Sequence, residues 1–483
     1  MRDGGGRMSL RRILVVGGGM VGWSAAAALK RRLPHLDITI LPIAPPADAL
    51  ADRIASTLPS ILGFHSDLGI GLGDAVLRTG GQYRLGTLFR DWVAGAPDYV
   101  HAYGRTGTPI GGAPFHQLWA RAALASAAPP FDTLSVAAMM ARSGSFVTPQ
   151  ADGLLSEHSF GLTLDIPRYT AMLMAFARHV GVQGHLGEVA HVEQDVRGDI
   201  AAVVLEDGAR ITADLYCDCT GPAARLHGAI AVPREDWQAW LPCDRVVLEE
   251  VAGEDEAAPM ERVTATDHGW RWVGTRQRGT VYCAAFGATD ASAVAFRSGA
   301  TLAPWRGNVV AIGDAAVSVE PLEWSNLHLA HSAIDRLIAM LPAGRPHPLE
   351  AAEYNRQALA EARRVRDFLV LHYATARRDT PFWQARAQTG LPDSLAHTLR
   401  LFRERGRLPY YEEETFDRES WLAVLFGQHV LPRRIDPLTD AVPPAEAAAA
   451  MTSLQQRIAQ EIERVPAAAR FRALQLERLH ERA

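Results

Sequence analysis

Gly17, Gly19 and Gly22 stand between a β-branched run, Ile13-Leu14-Val15-Val16, and an alanine-rich stretch that ends at Lys30. In the order strand, turn, helix, a GxGxxG spacing does phosphate chemistry. The first glycine permits the tight turn, the second lets the backbone approach a pyrophosphate, and the third lets helix and strand pack closely. The helix N-terminus adds amide donors and a partial positive charge. Far downstream, Ala311-Ile312-Gly313-Asp314-Ala315 sets an acid directly after a second apolar run, to serve a bound dinucleotide, to cap a helix, or to do both. Lys30 is the single lysine, and arginine supplies every other cationic side chain. Lysine-dependent chemistry is therefore confined to that one residue. The four cysteines form no CxxC pair, and Cys217 and Cys219, two apart in a strand-like run, are expected on one buried face. His328 and His331 lie three apart on an expected helix and are assigned no metal.

These residues need an α/β frame. Pro34 breaks the first helix and Ile38-Thr39-Ile40-Leu41 reads as a second parallel strand, giving a βαβ unit. Residues 203–205 and 211–217 flank Glu206-Asp207-Gly208, a hairpin signal leading into a buried strand. A strand over 309–312 and a helix over 326–340 follow, with helices from Ala351 through Tyr373 and from Ala445 to the end. A chain of 483 residues, 48% hydrophobic, outgrows a single core, which stops enlarging near about 250 to 300 residues. The division expected is a cofactor domain over 10–345 carrying an inserted substrate region, and a helical module over 346–483 packing on it. The net charge of -5, with interspersed signs, lacks the basic footprint of a nucleic-acid binder. The glycines in 13–29 speak against a membrane span, and 1–12 lacks an apolar signal segment. A cytoplasmic enzyme acting on a small molecule is expected.

Asp314 occupies the place where flavoprotein hydroxylases carry an aspartate near the ribityl chain and phosphates, which favours FAD over NAD. The run from Gly313 through Glu320-Pro321-Leu322-Glu323, with Ser325 and His328-Leu329, resembles the flavin-dependent tryptophan halogenases, whose pattern here centres on EPLES. Similar blocks follow the same order at Ala213-Asp214-Leu215-Tyr216-Cys217-Asp218-Cys219-Thr220-Gly221, at Arg366-Asp367-Phe368 with Asp379-Thr380-Pro381-Phe382-Trp383, and at Trp421-Leu422-Ala423-Val424. The resemblance implies a Rossmann-like FAD-binding domain of the flavoprotein hydroxylase type, merged with a mixed-sheet substrate region and a helical C-terminal module. It implies reduced FAD from a separate flavin reductase, oxygen, and chloride or bromide. Hypohalous acid then reaches a lysine beside a glutamate and halogenates a small aromatic ring. Glu323 falls on that glutamate, Trp270 and Trp272 on a WxW block of the substrate region, and Trp324 and Ser325 on the halide region. A homodimer is compatible with this reading.

The departures matter as much. The lysine block FKLG reads Tyr83-Arg84-Leu85-Gly86, so Arg84 replaces the lysine. A guanidinium stays protonated and cannot offer a neutral amine, although its donor fork can hydrogen-bond hypohalous acid. The flavin-contacting GEAT-IP block reads Ala55-Ser56-Thr57-Leu58-Pro59, the ribose-binding acid after the second strand is Pro42, and the serine after the glutamate is Trp324. Three readings follow: a halogenase using Arg84, an FAD-dependent oxidoreductase or monooxygenase with other chemistry, and a catalytically degenerate member with a binding or partner role.

Overall fold

The computed structural model describes residues 10–251, 258–287, 289–344 and 347–481. The chain divides into two compact units, the first Met1–Gly80, Leu164–Gln238 and Val294–Arg363, the second Gly81–Thr163, Ala239–Ala293 and Arg364–Ala483.

The first unit is built on a six-stranded sheet with strand order Trp305–Arg306, Val309–Ala311, Leu215–Asp218, β1 (Arg12–Val16), β2 (Asp37–Leu41), Gln183–Gly184. All neighbours are parallel except the antiparallel edge strand Trp305–Arg306. β1 is buried from Ile13 to Val16, as a strand covered on both faces must be. The register aligns Val16 with Asp218 and Leu41, and Asp218 with Ala311, so the chain leaves four strands at one edge. The turn at Gly17, the segment after Leu41, the Cys219-Thr220-Gly221 loop and the Gly313-Asp314 turn therefore gather there, the edge at which open parallel sheets bind ligands. Helix α1 (Met20–Arg32) is buried over its first ten residues and carries Lys30, Arg31 and Arg32 in its last turn, where the helix dipole favours cations.

The second unit holds a sheet with the order Arg245–Glu250, Gln277–Tyr282, Gly269–Val273, Met260–Thr266, Gly86–Arg90, Tyr99–Ala102. Met260–Thr266 and Gly86–Arg90 run parallel, and the other pairs are antiparallel. A short antiparallel pair, Gln82–Arg84 with Gly161–Thr163, leads into it.

Two expected elements differ. The strand expected over 211–217 is two: Arg210–Ile211 closes the hairpin with Ile200–Leu205, whereas Leu215–Asp218 joins the parallel sheet. Asp214 marks the division by accepting the Arg11 and Arg12 amides. The final helix is also two, Pro444–Ile462 and Ala468–Glu481, separated at Pro466, which cannot donate to a helical ladder. Among the described residues no helix is long and apolar enough to cross a membrane.

Candidate active site

The glycine turn takes the conformation its spacing demands. Gly17 has φ +136°, and a Cβ on it would lie 2.3 Å from the Cys219 carbonyl oxygen. A Cβ on Gly22 would lie 2.1 Å from the Gly17 oxygen, which is the close helix-to-strand approach expected of the third glycine. Gly313, at φ +67°, closes on Val21, where a Cβ would meet Cγ1 at 3.0 Å. The structure thus brings Gly17, Gly19, Gly22 and Gly313 together with Asp314.

Residues 42–53 lie directly against this group. The Gly18 amide donates to the Ile43 oxygen at 2.6 Å, and the Ala51 amide to Asp314 Oδ2 at 2.7 Å. Asp314 is therefore not a cap of its own turn. Its Oδ1 is buried with no partner at hydrogen-bond distance, Ser318 adding only a weak longer-range stabilisation. Burial pushes the Asp314 carboxyl up to about 8, reinforced by Asp52 and Asp48 against the pull of the Ala51 amide.

Asp52 went unnoticed in the sequence. Its Oδ1 accepts from the Val21 amide at 2.8 Å, in the first turn of α1, and it is 4% exposed. Burial raises its carboxyl to about 6, although the Val21 and Met20 amides and Arg53 pull it down. A short acid-bearing stretch after a proline-rich loop carries no spacing signal that ties it to α1. A flavin dinucleotide is fitted by the glycine conformations, by the α1 terminus and by the spare Asp314 oxygen. Asp52 is set against it.

The block Leu322–Trp324 leads into the helix Asn326–Ala339. Glu323 (φ 62°, ψ 9°) and Trp324 (φ 64°) are successive left-handed residues, and Glu323, Trp324 and Ser325 are fully buried. Such backbone costs about 1–3 kcal/mol per residue and concentrates at functional sites. His331 stacks on Phe64 with ring centroids 3.7 Å apart and reaches Ser24, and burial keeps it neutral. His328 bridges Ser60 and Glu361. Both histidines are packed into the unit. Among the described residues no group of three or more His, Cys, Asp and Glu could hold a metal ion. Cys217 and Cys219 are buried free thiols, both pushed upward by burial.

In the second unit Arg84 ends the strand Gln82–Arg84 and is fully buried. Its Nε donates to Glu261, its Nη1 to the Tyr103 hydroxyl, and its Nη2 to Thr87 Oγ1 at 2.6 Å. Glu261 sits opposite Thr87 in the parallel pairing and accepts from Thr163 Oγ1 at 3.1 Å. Burial works against the Arg84 charge, but Glu261 and Tyr103 outweigh it and hold the guanidinium protonated more firmly than usual. All three nitrogens of Arg84 thus donate to groups of its own unit. Glu261 and Tyr103 also went unnoticed; the available signal was an acid sharing one face of the strand Met260–Thr266 with Val263 and Ala265. Trp270 and Trp272 are buried, with Trp270 Nε1 donating to the Tyr373 hydroxyl at 3.0 Å. Trp272 lies over Gly279, where a Cβ would come within 2.3 Å of its ring. Trp383 donates to the Thr266 oxygen at 2.7 Å and packs edge-on to Trp92.

A sequence profile of the tryptophan halogenase family matches residues 12–444. Tryptophan 6-halogenase SttH of Streptomyces toxytricini is 26% identical over 499 residues, covering 92% of this chain and 94% of its own. Among solved structures, BrvH, a flavin-dependent halogenase from Brevundimonas sp. BAL3, is similar with a TM-score of 0.90 and 32% identity, over 96% of this chain and 99% of its own. Xcc4156, a flavin-dependent halogenase from Xanthomonas campestris, gives 0.88 and 33%, over 96% and 98%.

Proposed function

The chain belongs to the tryptophan halogenase family, and on that footing we propose that it is a flavin-dependent oxidoreductase that oxidises or halogenates an electron-rich, indole-like aromatic without a lysine. The observation that carries this reading is the meeting of the 17–22 turn with Gly313 and Asp314 at the carboxyl edge of the parallel sheet. When bound, FAD would supply oxidising equivalents drawn from oxygen, a separate flavin reductase delivering it in reduced form and chloride or bromide serving halogenation. In this reading the first unit holds the cofactor. The glycine turn and the first amides of α1 hold the phosphates. Asp314, with its carboxyl near 8, retains a proton at neutral pH and can donate to an anion as well as accept from a hydroxyl. Glu323 takes the ring proton at its carboxylate, next to Trp324 and Ser325 on the halide side. Trp270 and Trp272 act as packed support of the second unit.

The lysine-free route is supported by the two cations concerned. Lys30 lies on α1 and donates to the Pro34 and Leu36 oxygens. Arg84 is a buried fixed charge that positions Glu261 and Tyr103. Titration of the purified protein with FAD tests the reading, followed by product analysis with flavin reductase, NADH, oxygen and bromide or chloride on indole and tryptophan. Flavin binding with an oxidised or halogenated product is expected; absence of flavin binding overturns it. A cytoplasmic location goes with this reading. The second reading, a degenerate binding or partner protein, is favoured by one observation: an acid, Asp52, stands on the α1 amides.

A further inference from the structure

Asp52 meets α1 in two independent ways. Its carboxylate accepts the Val21 amide, one of the donors a helix N-terminus offers to an anion. It also fills the space left by the second glycine of the turn, since a Cβ on Gly19 would lie 2.3 Å from Oδ1 and 2.8 Å from Oδ2. Gly19 has φ -85° and ψ -167°, a conformation open to any residue, so the close carboxylate accounts for glycine there. That is the space a pyrophosphate needs when it approaches the backbone. The chain around Asp52 is fixed by neighbours of the same edge: Ile43 by Gly18, Ala51 by Asp314, and Ala49 by Gly221, where a Cβ would come within 3.0 Å of it.

The carboxylates of Asp52 and Asp48 near Asp314 are matched by Arg53 beside Asp52 and Arg234 near Asp314, so these charges give no net pull on a second anion while Asp52 is in place. A carboxylate and a phosphate compete for the same donors, and like charges at close range repel.

We propose that Asp52 is a built-in counter-ligand, its carboxylate standing in for a dinucleotide phosphate at the α1 terminus, so that FAD binds only as segment 42–53 withdraws it. This rests on the flavin reading above. The acid sets the cofactor affinity of the chain and selects against any ligand that presents a phosphate to the glycine turn. A flavin without phosphate is indifferent to it.

The test compares full-length wild type, Asp52→Gly and Asp52→Asn in titrations with FAD, ADP and riboflavin, followed by flavin fluorescence, or by calorimetry for ADP, with thermal melts of each protein alone. Removing one charge-assisted contact should tighten FAD and ADP by at least about tenfold in Asp52→Gly, less in Asp52→Asn, with riboflavin unchanged. If Asp52→Gly does not fold, Asp52→Asn, which keeps the shape and drops the charge, decides. FAD binding equally tight in wild type and variants overturns the inference and leaves the proposed function standing. An equal gain for riboflavin also overturns it. FAD binding to none of the three overturns both.

Discussion

Arg84 and Glu261 form an ion pair in which each side chain is 1% exposed, the guanidinium Nε donating to the carboxylate while Tyr103 and Thr87 take the other two nitrogens. Removing one partner leaves the other charge buried and uncompensated, which costs about 3–5 kcal/mol, whereas an apolar pair of similar volume is often neutral. Arg84→Met and Glu261→Met should each lower stability by about that much, and the two together by clearly less. Urea midpoints of the four proteins check it. Additive losses would mean that the pair is not coupled.

The same pair predicts what a lysine would do. In Arg84→Lys the compact ammonium keeps Glu261 but gives up the planar fork that also serves Tyr103 and Thr87. A carboxylate at contact distance favours the charged form, so the amine remains protonated and unreactive. Arg84→Lys alone should give no rise in brominated indole over wild type, while Arg84→Lys with Glu261→Gln should raise it. Mass spectrometry of reductase-coupled reactions reads both. A rise in the single variant would show that Glu261 does not restrain the amine.

Asp314 and Asp52 give stability a pH dependence of unusual sign. Their carboxyls are raised, mainly by burial, to about 8 and about 6. The folded chain therefore keeps protons that the unfolded chain has released, and the stability they contribute is full below about pH 4 and is lost as pH rises through the folded values. Buried His65, pushed down to about 4 by burial, acts in the opposite sense. A difference measurement separates them: Asp314→Asn should gain on wild type as pH rises from about 5 to about 8, by at most about 4 kcal/mol. Thermal melts across that range check the trend, and a constant difference would refute it.

The parts of the site that were legible in the sequence are those whose cause is local. Gly17, Gly19 and Gly22 declare themselves because a turn's backbone demands are written within six residues, and Gly313-Asp314 because it abuts a strand. The βαβ unit follows from periodicity and from Pro34. Glu261 did not show, because its partner is 177 residues away and only the strand pairing brings Arg84 to it. Trp270 and Trp272 were legible only by resemblance, as a WxW block, and that Trp272 lies over Gly279 depends on the neighbouring strand. Asp52 was invisible for the same reason: its position depends on how 42–53 crosses the sheet edge. The division of 210–218 into two strands turned on Asp214, whose partners, Arg11 and Arg12, lie at the other end of the chain's first strand.

Gly19 and Asp52 give the last prediction, independent of any ligand. Gly19 caps α1 with ordinary dihedral angles, so alanine there meets no backbone strain, only the Asp52 carboxylate at 2.3 Å. Overpacking of this kind costs about 1–3 kcal/mol because neither α1 nor the 42–53 segment can shift without breaking buried hydrogen bonds. Gly19→Ala should therefore destabilise wild type by that amount. In an Asp52→Gly background the obstacle is gone, and the same substitution should cost only the loss of a glycine N-cap to alanine, no more than about 1 kcal/mol. Urea unfolding of the four proteins closes the cycle. Equal costs in the two backgrounds would show that Gly19 is held to glycine by something other than the acid on its helix.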